Sequence, residues 1–216
     1  LLNGPCGAVI AGKYLYGGAK DNTALAQYDL TEIRRDAEAP APPGRYIFEG
    51  TQGNAYVDVE GHGQMKLNGT SALAVHDGFL YVAFRTTSQI LRFPLEEDGD
   101  VAKPLVGQYI AQFPEHNPDQ GGGSANIYDM AFDEQGRLYV SPGYDGAIYR
   151  FLPDPERLYD VRNVNYEPYV DLEALVGAKK SGNICFDDKG NLYVCSGQKV
   201  LSEGNVRGVI YRVRPD

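Results

Sequence analysis

The side chains best suited by type to do chemistry lie in one long polar stretch. Phe113-Pro114-Glu115-His116-Asn117-Pro118-Asp119-Gln120-Gly121-Gly122-Gly123-Ser124-Ala125-Asn126 gathers Glu115, His116 and Asp119 within five positions. An imidazole between carboxylates can exchange a proton near neutral pH, and the same groups offer nitrogen and oxygen donors to a cation. Glu115 and His116 are therefore candidates for general acid/base work, with Asp129 just beyond. Asp119 and Asn126 are candidates for ligand binding. A solvated connection is the competing reading of the same loop. Tyr144, in Pro142-Gly143-Tyr144-Asp145-Gly146, sits in a tight loop and could stack on a ligand. Gly121-Gly122-Gly123-Ser124 could turn backbone N–H groups toward an anion. No Lys follows in phosphate-loop spacing and no helix is expected after it, so it reads as a connection. His62, between two glycines, reads as a solvent-exposed turn residue, and His76 as structural. Cys6 has no His placed near it and is not expected to act as a nucleophile.

The composition limits what these residues can serve. The 216 residues carry a net charge of −9, which gives no basic footprint for nucleic acid. No apolar run approaches the ~18 residues of a membrane-spanning helix. With 43% apolar and 23% charged residues, the chain is expected to fold. The 26 Gly, 16 Tyr and 8 Phe, with no Trp, point to short strands joined by tight turns. Three Cys exclude a complete disulfide framework. Cys185 and Cys195 flank one hairpin and could meet, but two small buried thiols are the preferred reading. The chain opens on Leu1-Leu2-Asn3, without Met or a signal-peptide pattern, and reads as processed, trimmed or a fragment. It fixes no compartment; a soluble, secreted or periplasmic setting is favoured.

The elements that must position the candidate residues repeat. Gly136-Arg137-Leu138-Tyr139-Val140 matches Gly190-Asn191-Leu192-Tyr193-Val194, Gly78-Phe79-Leu80-Tyr81-Val82 fits the same frame, and Gly12-Lys13-Tyr14-Leu15-Tyr16 fits more loosely. An apolar triplet precedes each glycine: Ala8-Val9-Ile10, Leu73-Ala74-Val75, Met130-Ala131-Phe132 and Ile184-Cys185-Phe186. A third strand follows: Leu25-Ala26-Gln27-Tyr28, Ile90-Leu91-Arg92-Phe93, Ile148-Tyr149-Arg150-Phe151 and Ile210-Tyr211-Arg212-Val213. Its Gln/Arg column is expected on the more solvated face. Fourth strands are read at Arg45–Phe48, Gln108–Ala111 and Pro168–Asp171; the fourth copy has none. The unit is a four-stranded antiparallel meander, the signature of a β-propeller blade. The fold class is all-β, with blades near 4–52, 70–113, 126–173 and 182–216 and an inserted hairpin at 54–68. Three arrangements are open: part of a six- or seven-bladed ring, closure by a partner or self-assembly, or a four-bladed ring or arc with a bare edge. Ser196–Gly208 reads as a long loop whose Val200-Leu201 pair suggests a contact.

The form "apolar triplet, Asp, two residues, Gly, x, Leu-Tyr-Val" resembles the NHL-repeat and senescence-marker/gluconolactonase-type propellers. That resemblance covers nearly the whole chain through its repeats. It implies one divalent cation, Ca²⁺ or Zn²⁺, held by oxygen ligands at the starts of inner strands. Carried over by position, Asn3 (in Asn3-Gly4-Pro5, with Asn for the family's Glu), Asn126, Asp129 and Asn183 are the implied ligands. The family's Asp falls on Gly182 in the fourth copy and on Ser71 in the second. Two functions follow. One is a binding or scaffold propeller that engages a small molecule or a protein through its loop face or a free blade edge. The other is a metal-dependent lactonase or esterase.

Overall fold

The structure is a computed structural model that describes residues 2–32, 44–50, 54–112, 126–143, 146–151, 166–200 and 206–214. The chain divides into two compact units, Leu1–Ile110 and Ala111–Asp216. The first holds a sheet of β1 (Pro5–Ala11), β2 (Tyr14–Ala19), β3 (Ala24–Asp29) and β4 (Arg45–Phe48), in that order. It also holds β5 (Asn54–Val59), β6 (Gly63–Asn68), β7 (Thr70–His76), β8 (Phe79–Phe84), β9 (Gln89–Pro94) and β10 (Val106–Gln112). These six form one sheet in the order β6-β5-β10-β9-β8-β7. The second unit holds a meander of β11 (Asp129–Phe132), β12 (Leu138–Ser141), β13 (Ala147–Phe151) and β14 (Tyr166–Asp171). A three-stranded sheet follows: β15 (Ile184–Phe186), β16 (Leu192–Val200) and β17 (Val206–Val213). Each sheet is a propeller blade whose strands pair antiparallel, except that β5 joins β10 in parallel, and among the described residues the fold is all-β but for one short helix, α1 (Leu172–Val176), and one 3₁₀ turn. Among the described residues no helix is long and apolar enough to cross a membrane.

The repeated glycines close hairpins of two kinds. Asp77 and Gly78 both have positive φ (47° and 74°) and join His76 to Phe79, the backbone signature of a two-residue hairpin turn. In the second unit the turns are longer, and the aspartate organises them. Asp133 Oδ1 accepts the Gln135 and Arg137 backbone N–H groups at 3.0 and 2.9 Å. Its Oδ2 accepts the Arg137 guanidinium and the Tyr139 hydroxyl. Asp187 repeats the pattern with the Lys189 and Asn191 N–H groups, the Asn191 amide and the Tyr193 hydroxyl. The spacing Asp-x-x-Gly-x-Leu-Tyr thus encodes a clasp, in which one carboxylate ties the turn to the second strand.

The Gln/Arg column of the third strand is exposed at Arg212 and half-buried at Arg92 and Arg150, but covered at Gln27. Gln27 is 3% exposed. Its amide donates to the Tyr16 hydroxyl at 2.7 Å and to Asp100 at 2.9 Å, and its oxygen accepts from Arg45. Arg92 donates to Gln108 and toward the Tyr81 hydroxyl, and Arg150 pairs with Glu167. Period-2 alternation gives the face of a residue but not what covers it. Here the column bridges the buried tyrosines to the fourth strand, and a polar side chain is needed on both counts.

Other local readings also change. Cys185 and Cys195 are exposed free thiols, not buried ones, because β15 and β16 present them on an open face of the last sheet. His62 is half-buried, with its ring 5.4 Å from Tyr109, because β5 pairs in parallel with β10 through Val106↔Asp58 and Gly107↔Val59. The stretch Ser196–Gly208 is largely strand: β16 and β17 continue through Lys199↔Arg207 and Val200↔Val206 after a bulge.

The apolar columns supply the cores. In the first unit Tyr16, Leu25, Leu80, Val82, Phe84, Leu91 and Phe93 form one cluster, each fully buried. In the second, Tyr139, Ile148, Ile184, Leu192 and Val194 form another buried cluster.

Candidate functional site

The inner strands of the second unit begin side by side. Asp129 opens β11 and Ile184 opens β15. Asp129 Oδ1 accepts the Met130 N–H at 2.9 Å. Its Oδ2 accepts the Ile184 N–H at 2.9 Å and the Asn183 amide at 3.3 Å. Burial pushes the Asp129 carboxyl above the ordinary carboxylate range, opposed by the hydrogen bonds from Ile184, Met130 and Asn183. Asn126 lies on the lead-in to β11 with φ 41°, a left-handed conformation that Asn tolerates better than most residues, and it is 9% exposed. Nearby, Ser141 donates to Ser181 at 2.8 Å, and Ser181 to the Ala147 carbonyl. This serine pair has no counterpart in the motif reading; its signal is two small polar residues that flank inner-strand starts.

The structure therefore brings Asp129 and Asn183 into contact and places Asn126 just before them. Asn3 lies in the first unit, where its N–H donates to Asn22 and its carbonyl accepts from Asp21. Glu115, His116, Asp119 and Tyr144 lie outside the described residues. Among the described residues no three His, Cys, Asp or Glu side chains gather where a metal could sit. The donors at Asp129 also fit a hard cation poorly. A carboxylate has about four lone-pair sites, and three are already engaged, two of them by backbone N–H groups that cannot turn away. Ca²⁺ needs about six to eight oxygens. What this arrangement does well is latch β15 to β11.

The latch makes a prediction. Asp129→Ala leaves the Ile184 and Met130 N–H groups without their acceptor and is expected to cost about 2 kcal/mol of stability, read by urea denaturation. The raised carboxyl sets the sign of the pH effect. Ionisation of Asp129 opposes folding, so its penalty is absent below the unfolded-state value near ~3.9 and grows as pH rises through it.

A second concavity lies at the turn end of the same unit, a cleft of about 130 Å³ lined by Asp133, Arg137, Tyr139, Tyr169, Phe186 and Lys189 among others. It is smaller than the roughly 300–1,000 Å³ of a drug-sized ligand site. Its guanidinium and one of its carboxylates are those of the Asp133 clasp; Glu134 lines it too.

Neither a protein-family model nor a curated protein matches the sequence. Solved structures do. A candidate 6-phosphogluconolactonase from Bacteroides uniformis superposes with a TM-score of 0.57 at 14% identity, covering 100% of this chain and 58% of its own. The periplasmic gluconolactonase PpgL of Pseudomonas aeruginosa gives 0.53 at 14% identity, covering 98% of this chain and 58% of its own. The fold is a β-propeller. This propeller chain spans 58% of the length of both structures, and at that identity the likeness is one of fold.

Proposed function

We propose that the protein is a binding propeller that engages a small molecule or a protein partner through the loops around its inner-strand ends. One observation carries this reading. The carboxylate that a metal-dependent hydrolase would use, Asp129, is committed to two backbone N–H groups and the Asn183 amide. A carboxylate held that way positions strands and loops for contact and keeps little capacity for a cation.

A lactonase reading has its own support. Asp129 and Asn183 are in contact at two neighbouring inner-strand starts, Asn126 lies three residues before Asp129, and burial raises the Asp129 carboxyl above the ordinary carboxylate range. In that reading Asn126, Asp129 and Asn183 would be the ligands to the cation.

Calorimetric titration with Ca²⁺ and with Zn²⁺, run beside a lactone-hydrolysis assay, separates the two. For the binding propeller, the wild-type protein and the Asn126→Ala/Asp129→Ala variant give the same weak cation response and no lactone turnover. Micromolar cation binding that disappears in the double variant, together with turnover that disappears with it, would replace the binding reading by the lactonase one.

A further inference from the structure

Residues of both hairpin turns in the second unit line one cleft of about 130 Å³. It lies at the far end of β11 and β15 from the Asp129 latch, because Asp133 follows β11 and Asp187 follows β15. It is therefore separate from the loop face proposed above.

Aromatic rings form its walls. Tyr139 is 1% exposed. The half-buried Tyr169 and Phe186 rings meet it edge to face, with centroids 4.9 and 4.8 Å away and interplanar angles of 82° and 69°. Tyr139 comes from β12, Tyr169 from β14 and Phe186 from β15, so the packing of two blades creates the slot. An engineered apolar cavity of about 150 Å³ takes up benzene, so the volume suits a single ring.

Charge sorts what can enter. The Asp133 carboxylate already accepts from two backbone N–H groups, Arg137 and Tyr139, which leaves it little capacity for a ligand. Arg137 donates through Nε to Asp133 and through Nη2 to Gln135. A guanidinium has five N–H groups, so most of its donors remain available. Lys189 is exposed on the second turn, and its ammonium is in no ion pair among the described residues. Glu134 is the one opposing charge on the cleft that is not held in a clasp; it is exposed and can turn to solvent. A cationic ligand would meet Arg137 and Lys189. The rings it would seek also carry cations already: the Arg137 guanidinium lies 6.0 Å from the Tyr139 centroid and that of Arg150 lies 5.2 Å from the Tyr169 centroid.

We propose that this cleft binds a small carboxylate with a flat apolar body of about one ring. The body packs against Tyr139, Tyr169 and Phe186, and the carboxylate accepts from Arg137 and Lys189. Such charge-assisted hydrogen bonds are about twice as strong as neutral ones. The rings supply the apolar contact that a bare anion lacks.

The test uses the full chain and four probes: benzoate, benzylamine, benzyl alcohol and acetate. Backbone amide shifts of Arg137, Lys189 and Gly190 are followed by NMR titration. Benzoate is expected to saturate with a Kd of about 1 mM or tighter. Benzylamine, benzyl alcohol and acetate should each bind at least about tenfold more weakly, since each lacks either the charge or the ring. Lys189→Glu should weaken benzoate about tenfold or more, and Lys189→Gln by less, with the thermal melt unchanged in both because the ammonium has no partner to lose. Phe186→Leu should weaken benzoate and leave acetate unaffected. Benzylamine or acetate binding as tightly as benzoate, an unchanged benzoate affinity in Lys189→Glu, or no response of these amides to benzoate overturns the proposal.

Discussion

Gly99→Ala is expected to destabilise the first unit by about 3–5 kcal/mol, the sum of a left-handed backbone penalty and a steric clash that nothing can relieve. Gly99 has φ 88°, and a Cβ there would lie 2.2 Å from the Ala11 carbonyl oxygen and 2.8 Å from the Gly12 nitrogen. The clash is reciprocal: a Cβ on Gly12, φ 53°, would lie 2.1 Å from the Asp98 carbonyl oxygen. Two backbones cross here, and both are fixed. The Lys13 N–H donates to the Asp98 carbonyl at 3.2 Å, the Tyr16 hydroxyl to the Gly99 carbonyl at 2.7 Å, and Gln27 and Arg45 to Asp100. Retreat of the loop would therefore strip partners from the buried Tyr16 and Gln27. Gly78→Ala is the control. Gly78 has φ 74° but no atom within 4 Å of its Cβ position, so only the conformational cost of about 1 kcal/mol applies. Urea denaturation of both variants separates crowding from conformation; equal losses would show that the crossing is not what requires glycine at 99.

Asp133→Ala is the second large effect, with an expected loss of about 2–3 kcal/mol from the hydrogen-bond donors it leaves unmatched. The carboxylate is 5% exposed and serves four donors: two backbone N–H groups, Arg137 and Tyr139. Its removal leaves two backbone N–H groups and part of the hydrogen bonding of a hydroxyl whose residue is 1% exposed without an acceptor, while the Arg137 guanidinium keeps Gln135 and solvent. Asp133→Asn keeps an acceptor and loses the charge, and should cost about half as much. The two clasps also set an acid limit. Desolvation pushes both carboxyls up, but the hydrogen bonds outweigh it. Those from Arg137 and Tyr139 hold Asp133 below the usual range, and those from Asn191, Lys189 and Tyr193 hold Asp187 at about 2. With folded values below the unfolded value near ~3.9, the stabilisation is complete above that pH. It is lost as pH falls toward 2 through the folded values. Thermal melts of the wild-type protein between pH 5 and pH 2 should therefore fall steeply, and those of Asp133→Asn/Asp187→Asn should be flatter over that window. Parallel curves would show that other carboxylates set the acid limit.

The blade repeat was legible because its signals are local. Alternation of apolar residues, Asp and Gly at the hairpins and the Leu-Tyr-Val frame depend on neighbours in sequence, and they become β11–β13 and β15–β17 directly. Among the candidate site residues, Asp129 and Asn183 meet, yet their meeting was not visible in spacing. They are 54 positions apart, and the distance between two strand starts is set by how blades pack. The backbone donor Ile184 could not be read at all, since every residue has an N–H. The Gln/Arg column follows its expected solvated face at Arg212 but not at Gln27, which Tyr16, Asp100 and Arg45 cover, and those partners are likewise set by residues distant in sequence.

Sequence by itself determined the all-β class, the hairpin chemistry of the Asp clasps and the recurring polar position that runs Gln27, Arg92, Arg150, Arg212. All are properties of period-2 strands and tight turns. Tertiary structure alone decided what those positions touch. It put β5 beside β10 in parallel, crossed Gly12 with Gly99, and brought the Ile184 N–H and the Asn183 amide to Asp129. The physical reason is that hydrogen-bond satisfaction at a buried carboxylate depends on every donor that folding brings to it, most of them distant in the chain.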